Sequence, residues 1–106
     1  MGKRFDSLVF PGGKSRAFTL SYDDGVVQDR RLAEIFRKRG LKCTFNIGSG
    51  LFGHKDGGNF PGRPPLDLSK LSAEEAKTVY AGHEIAGHSL FHSDLSGVGT
   101  PLAMYE

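Results

Sequence analysis

A helix-patterned segment set between two β-type runs constrains this chain more than any other feature. Ala17 to Tyr22 is apolar and β-favouring and predicts a first strand. Residues 29 to 39 predict a helix: Leu32, Ile35 and Phe36 share one face, Arg37, Lys38 and Arg39 fill the last turn, and Gly40 stops it. Leu41 to Ile47 predicts a second strand. Farther on, Ser72 and Glu75 have the spacing of a capping box, and Leu71 and Ala76 that of a hydrophobic staple. Ala76, Val79 and Tyr80 continue the apolar face of that second helix, Gly82 ends it, and His83 to Gly87 predicts a third strand. Strand, helix, strand, helix, strand calls for right-handed crossovers, so the fold class is α/β with a parallel sheet or a barrel sector.

In such a fold the residues at the C-terminal strand ends gather on one rim. Two segments fall there: Ser21-Tyr22-Asp23-Asp24-Gly25 after the first strand and His88-Ser89-Leu90-Phe91-His92 after the third. Adjacent carboxylates leave a strand in opposite directions, and like charges raise each other's ionisation cost, which a nearby cation relieves. His88 and His92 are spaced i and i+4, so one helical turn would put both imidazoles on one face. With one Asp they form a two-histidine, one-carboxylate set, and three protein ligands leave room for water and substrate, the catalytic pattern for zinc. Alone, an Asp-Asp-Gly is usually a turn, and an isolated His-x-x-x-His is a weak signal. Their shared place in a β/α alternation is what couples them.

These motifs resemble those of the polysaccharide deacetylase family, the chitooligosaccharide deacetylase homology domain of the carbohydrate esterases. The family's Thr-Phe-Asp-Asp-Gly motif is matched by Ser21-Tyr22-Asp23-Asp24-Gly25, with Ser for Thr and Tyr for Phe. Its His-Ser/Thr-x-x-His motif is met in full by His88 to His92, with a similar lead-in at Gly82 to Gly87, and Lys42 to Asn46 is similar to the family's second strand. The resemblance runs from about residue 17 to residue 95. It implies that Asp23 is the general base, that Asp24, His88 and His92 hold one divalent metal, and that Ser89 braces the loop by hydrogen bonding. Zinc comes first for that donor set, with cobalt, nickel and iron also compatible. The implied activity is metal-dependent removal of N- or O-acetyl groups from a carbohydrate, by hydrolysis of a non-peptide C–N bond in the N-acetyl case.

The implied fold is a distorted (β/α) barrel of the glycoside hydrolase/deacetylase type, which takes about 200 residues or more. At 106 residues the chain is expected to be the N-terminal part of such a domain, ending within or before a further helix. The family's later motifs, which bring an arginine to orient the base and a histidine as general acid, have no counterpart here. A non-catalytic metal- or sugar-binding fragment of the domain is therefore the alternative. A non-haem iron oxygenase uses a similar triad, but contacts for a redox cosubstrate are not recognisable. An open sheet edge leads us to expect self-association.

The stretch from Gly48 to Asp67 is rich in Gly and Pro and longer than ordinary α/β connections. Following the second strand, it is expected on the same rim, making His54, Asn59 and Arg63 candidate substrate contacts. A floppy glycine-rich excursion is the competing reading. His83 begins the strand that His88 follows, a rise of roughly 15 Å away, and is excluded from the site. Net charge is +2, too small to indicate nucleic acid, and the densest group of basic residues, five of the fourteen, lies on the first helix, where a solvated face explains it. No apolar run is long enough for a membrane span, and Met1-Gly2-Lys3-Arg4 leads into no signal-type core, so the expectation is a cytoplasmic chain, or an extracellular one if a signal has been removed. Cys43 is the only cysteine and is expected as a small buried hydrophobe.

Overall fold

A computed structural model describes residues 9–94 and residue 96. The Met1 to Arg4 segment and the expected further helix lie outside that range. Three strands, β1 (Ser21–Asp23), β2 (Thr44–Ile47) and a third at Glu84–Gly87, form a parallel sheet with β2 in the middle. Between β1 and β2 runs the helix α1 (Asp29–Lys38). After β2, a two-residue antiparallel ladder pairs β3 (Gly57–Gly58) with β4 (Leu66–Asp67), the helix α2 (Ala73–Val79) follows, and the sheet closes with β5 (Glu84–Gly87). Tyr22 pairs with Phe45 and Phe45 with Ile85. The expected α/β class with a small parallel sheet is thus present. Among the described residues, no helix is long and apolar enough to cross a membrane.

Both helices cover one face of the sheet, because a chain stepping from β1 to β2 to β5 with crossovers of one hand returns on the same side each time. From the sheet come Cys43, Phe45 and Ile47, from α1 come Ala33 and Phe36, and Leu71, Ala76 and Tyr80 complete the core. Leu71 and Ala76, spaced as a staple, are both buried in it, as is Cys43. Tyr80 stacks on Phe45 with ring centroids 4.5 Å apart. Arg37 crosses from α1 to donate to the carbonyls of Val79 and Ala81, tying the end of α1 to that of α2.

Several elements differ from the sequence expectation. The first strand occupies Ser21–Asp23 rather than 17–22: β1 is a sheet edge paired only with β2, and Phe18 is 80% exposed. The second strand starts at Thr44 and the third at Glu84, each short of its expected start. On α1 the buried stripe is Asp29, Ala33 and Phe36, and Ile35 is exposed, since it lies about 100° around the helix from Phe36. Of the capping box at α2, Ser72 Oγ accepts from Glu75 N–H at 3.1 Å, but the Glu75 carboxylate is drawn to Arg30 instead, at 2.8 and 2.9 Å. Gly40 and Gly82 take φ values of 67° and 85° after the helices, the left-handed stops expected of them.

One buried polar pair sits under the sheet. Tyr80 Oη donates to Asp29 Oδ2 at 2.6 Å, and the two residues are 2% and 3% exposed. Burial raises the Asp29 carboxyl, the Tyr80 hydrogen bond opposing it. Burial also pushes the Tyr80 hydroxyl well above its ordinary value, aided by the Asp29 hydrogen bond and charge. Tyr80 therefore favours the folded state fully below pH 10, and that contribution fades as pH rises further, because the unfolded phenol ionises first. Tyr80→Phe should cost about 1–3 kcal/mol at pH 7 by stripping a donor from a buried carboxylate. In urea titrations its stability should also fall less steeply than wild type between pH 10 and 11.

Candidate metal centre

The end of β2 acts as a ruler for the rim. Its Asn46 carbonyl accepts from Asp24 N–H at 2.9 Å, and its Ile47 carbonyl accepts from His88 N–H at 3.0 Å. The two parallel ladders thus continue one step past β1 and β5, placing Asp24 and His88 on either side of one strand end. Nε2 of His88 and Nε2 of His92 each lie 3.4 Å from Asp24 Oδ1. The two imidazoles meet edge to face, with centroids 4.7 Å apart.

The His pair does not converge through a helical turn, as its spacing suggested. Residues 88 to 92 form an irregular turn in which Ser89 and His92 have φ of 58° and 55°. Ser89 Oγ accepts from His92 N–H at 2.9 Å, which is the brace expected of it. A short 3₁₀ turn at Ser49–Leu51 supports this segment from below, with Gly50 N–H donating to the Leu90 carbonyl at 2.8 Å. Among the described residues, those other than glycine with positive φ are Asp24, Ser89 and His92. Backbone held in that sparsely populated region costs of order 1–3 kcal/mol per residue and collects at functional sites.

The donor set fits a divalent ion. A contact of 3.4 Å is long for a hydrogen bond, but it matches the edge of a tetrahedron built on bonds of about 2.0–2.1 Å. The three candidate ligand atoms all lie within 4.8 Å of one another. Two imidazoles and a carboxylate suit zinc and the later first-row metals. Asp23 turns to the other side: its Oδ1 accepts from the Asn46 side-chain amide at 2.9 Å, and the same amide reaches Ser21 Oγ at 2.8 Å.

Of the loop residues, the structure brings His54 to the site and leaves the others out. An open hollow of about 270 Å³ is lined by Asp24, Leu51, His54, Asp56, Lys70 and His92. Asn59 and Arg63 are exposed on the segment between β3 and β4 and do not line it. The excursion is tied at its two ends. The Ser69 hydroxyl accepts from Asp56 N–H and donates to the Asp56 carbonyl, Gly53 N–H donates to Leu71, and Lys70 N–H donates to His54. Leu51, Asp56 and Lys70 were not singled out from sequence; the only available signal for Lys70 was its place just before the second helix. His83 stands apart. Its Nδ1 accepts from Cys43 N–H at 3.1 Å, its Nε2 contacts the Ala33 carbonyl at 3.2 Å, and the ring packs on Phe36 and Phe45.

Fold and rim together define a class: a small parallel α/β sheet carrying a two-histidine, one-carboxylate cluster at its C-terminal edge. No family model, curated protein or solved structure matches the chain.

A side chain at Gly50 would test the support beneath the histidines. Its Cβ would lie 2.5 Å from the Phe91 ring and 2.7 Å from the Leu90 carbonyl, so the turn must move. Gly50→Ala should weaken cobalt or zinc binding by about 10–100-fold, the range seen when groups that orient ligands are lost, while the far-UV spectrum is retained. Unchanged affinity would show that the turn does not set the ligand geometry.

Proposed function

We propose that this chain carries the metal ligands and the base of a hydrolase that removes acetyl groups from carbohydrate, in a polysaccharide deacetylase-like domain whose sheet is a sector of a distorted (β/α) barrel. One observation supports the reading above the rest: Asp24, His88 and His92, distant in sequence, converge with 3.4 Å spacings on the rim where a (β/α) fold does its chemistry. The motif resemblance supplies the reaction class, and the helices covering a single face of the sheet agree with a barrel sector.

In this reading Asp24, His88 and His92 hold one divalent ion, zinc first among the candidates. When bound, it supplies Lewis-acid polarisation of the acyl carbonyl and acidifies a water molecule. Asp23 takes the proton from the attacking water, and the Asn46 amide holds its carboxylate in one orientation. Ser89 keeps His92 facing Asp24. His54 offers a contact to the sugar from across the hollow. A metal- or sugar-binding unit without turnover is the second reading, favoured by one fact: ligands and a base are assigned among the described residues, but no acid for the departing amine.

Separate substitutions distinguish ligand from base. Asp23→Asn should keep one ion per chain and lose about 10²–10⁴-fold in turnover, whereas Asp24→Asn should lose the ion itself. Metal content by elemental analysis, paired with acetate release from acetylated chito-oligosaccharides, reads both. An equal fall of metal content in the two variants would refute the division of roles, and stoichiometric metal with no acetate release from wild type would favour the binding unit.

A further inference from the structure

The hollow beside the metal ligands has a second wall whose chemistry is not used by that cluster. Lys70 and His54 line it together with Asp24 and His92. Their backbones are fixed: Lys70 N–H donates to the His54 carbonyl at 2.8 Å, Val26 forms a β-bridge with Lys70, and Leu71 N–H and Val27 N–H bond the Gly25 and Ser69 carbonyls. This strap therefore holds Lys70 against the turn that carries Asp24. Among the described residues, neither the Lys70 ammonium nor the His54 ring makes a side-chain hydrogen bond or ion pair, although Lys70 is half-buried.

We propose that Lys70 and His54 form an anion subsite beside the metal ligands, so that the substrate is an acylated sugar also bearing a carboxylate or phosphate. The proposal rests on the assignment of Asp24, His88 and His92 as ligands. An inventory of donors and acceptors carries it. One Asp56 oxygen accepts from Gly57 N–H at 2.8 Å, and Asp24 Oδ1 faces the imidazoles. The uncommitted donors of the hollow are the three ammonium protons of Lys70 and the ring of His54, beside one free oxygen each on Asp56 and Asp24. Such a wall suits a ligand rich in acceptors. Charge points the same way. With neutral histidines and a divalent ion in place, the hollow carries one positive charge in excess; without the ion, Asp24 and Asp56 outweigh Lys70. Anion affinity should therefore require the metal.

Isothermal titration of the full chain tests this in two stages. Zinc binding is measured first in wild type, Lys70→Gln, Lys70→Arg and the control Lys55→Gln, a lysine outside the hollow's lining. Methyl phosphate and acetate are then titrated separately into each zinc-loaded protein, the better ligand distinguishing a phosphorylated from a carboxylated sugar. The expected result is unchanged zinc affinity in all variants, with anion affinity about tenfold weaker in Lys70→Gln, as befits loss of a charge-assisted hydrogen bond, and largely retained in Lys70→Arg and Lys55→Gln. Equal anion affinity in wild type and Lys70→Gln would overturn the subsite, since the anion would then be bound by zinc alone. Joint loss of zinc and anion in Lys70→Gln would also overturn it, making Lys70 a structural prop. Failure of wild type to bind zinc would refute the ligand assignment, and the subsite with it.

Discussion

The last two carbonyls of β2 hold the rim together. Each accepts a backbone N–H from the first residue past a neighbouring strand, Asp24 on one side and His88 on the other. Because a parallel ladder spaces its bonds evenly and continues as long as the register holds, the positions of Asp24 and His88 follow from pairings begun at Ser21 with Thr44 and Thr44 with Glu84. A slip of one residue in either ladder would turn every side chain of that strand to the opposite face and bury Asp23 or expose Phe45. The apolar packing of Phe45 and Ile47 under the helices thus sets the register on which the spacing of Asp24 and His88 depends.

Beyond the ladders, the backbone is bent into a less favourable conformation, and the bend is held from several directions. Asp24 has φ of 81° and Gly25 of 62°. A Cβ at Gly25 would approach the Tyr80 hydroxyl at 3.6 Å and Ile47 at 3.5 Å, so this turn rests directly on the core. The strap at residues 69 to 71 clamps it from the other side through Leu71 and Val27. Strain at Asp24 and His92 is maintained because hydrogen bonds and packing on both sides over-determine the local path. The Tyr80–Asp29 pair belongs to the same support: its members come from the ends of the two helices, and it lies beneath the Asp24 turn.

Much of the fold was legible because its signals are local. The β/α alternation, the Ser72 cap, the glycine stops after both helices and the burial of Cys43 follow from neighbouring residues, and all appear in the structure. What was illegible depends on partners far away in the chain. The start of β1 is set by how far β2 extends alongside it, not by the β-favouring run from Ala17. Glu75 abandons the reciprocal half of its capping box because Arg30, 45 residues earlier, offers an ion pair. His88 and His92 share the spacing of a helix, yet the turn is held by the hydrogen bond from Gly50 N–H to the Leu90 carbonyl. Similarly, the glycine- and proline-rich excursion gave no local hint that the Ser69 hydroxyl would pin Asp56 across 13 residues, bringing His54 to the site and leaving Asn59 and Arg63 away from it.

The two adjacent aspartates also show how a strand divides labour. Successive side chains of a strand point to opposite faces, and the face opposite the helices is polar here: Ser21, Asp23 and Asn46 form one hydrogen-bonded group, and Thr44 bonds Glu84 beside it. Asp23 is on that face, with one oxygen engaged by an amide. Asp24 is the first residue past the strand, where positive φ swings its carboxylate toward the imidazoles. Two carboxylates that would repel each other on one face are thus separated by the pleat, one turned toward a neutral donor and one toward a cluster that a cation would complete. A pair of aspartates in mid-strand would share the alternation but not the swing, so placement at the strand's end is what allows neighbouring residues of one type to face different surroundings.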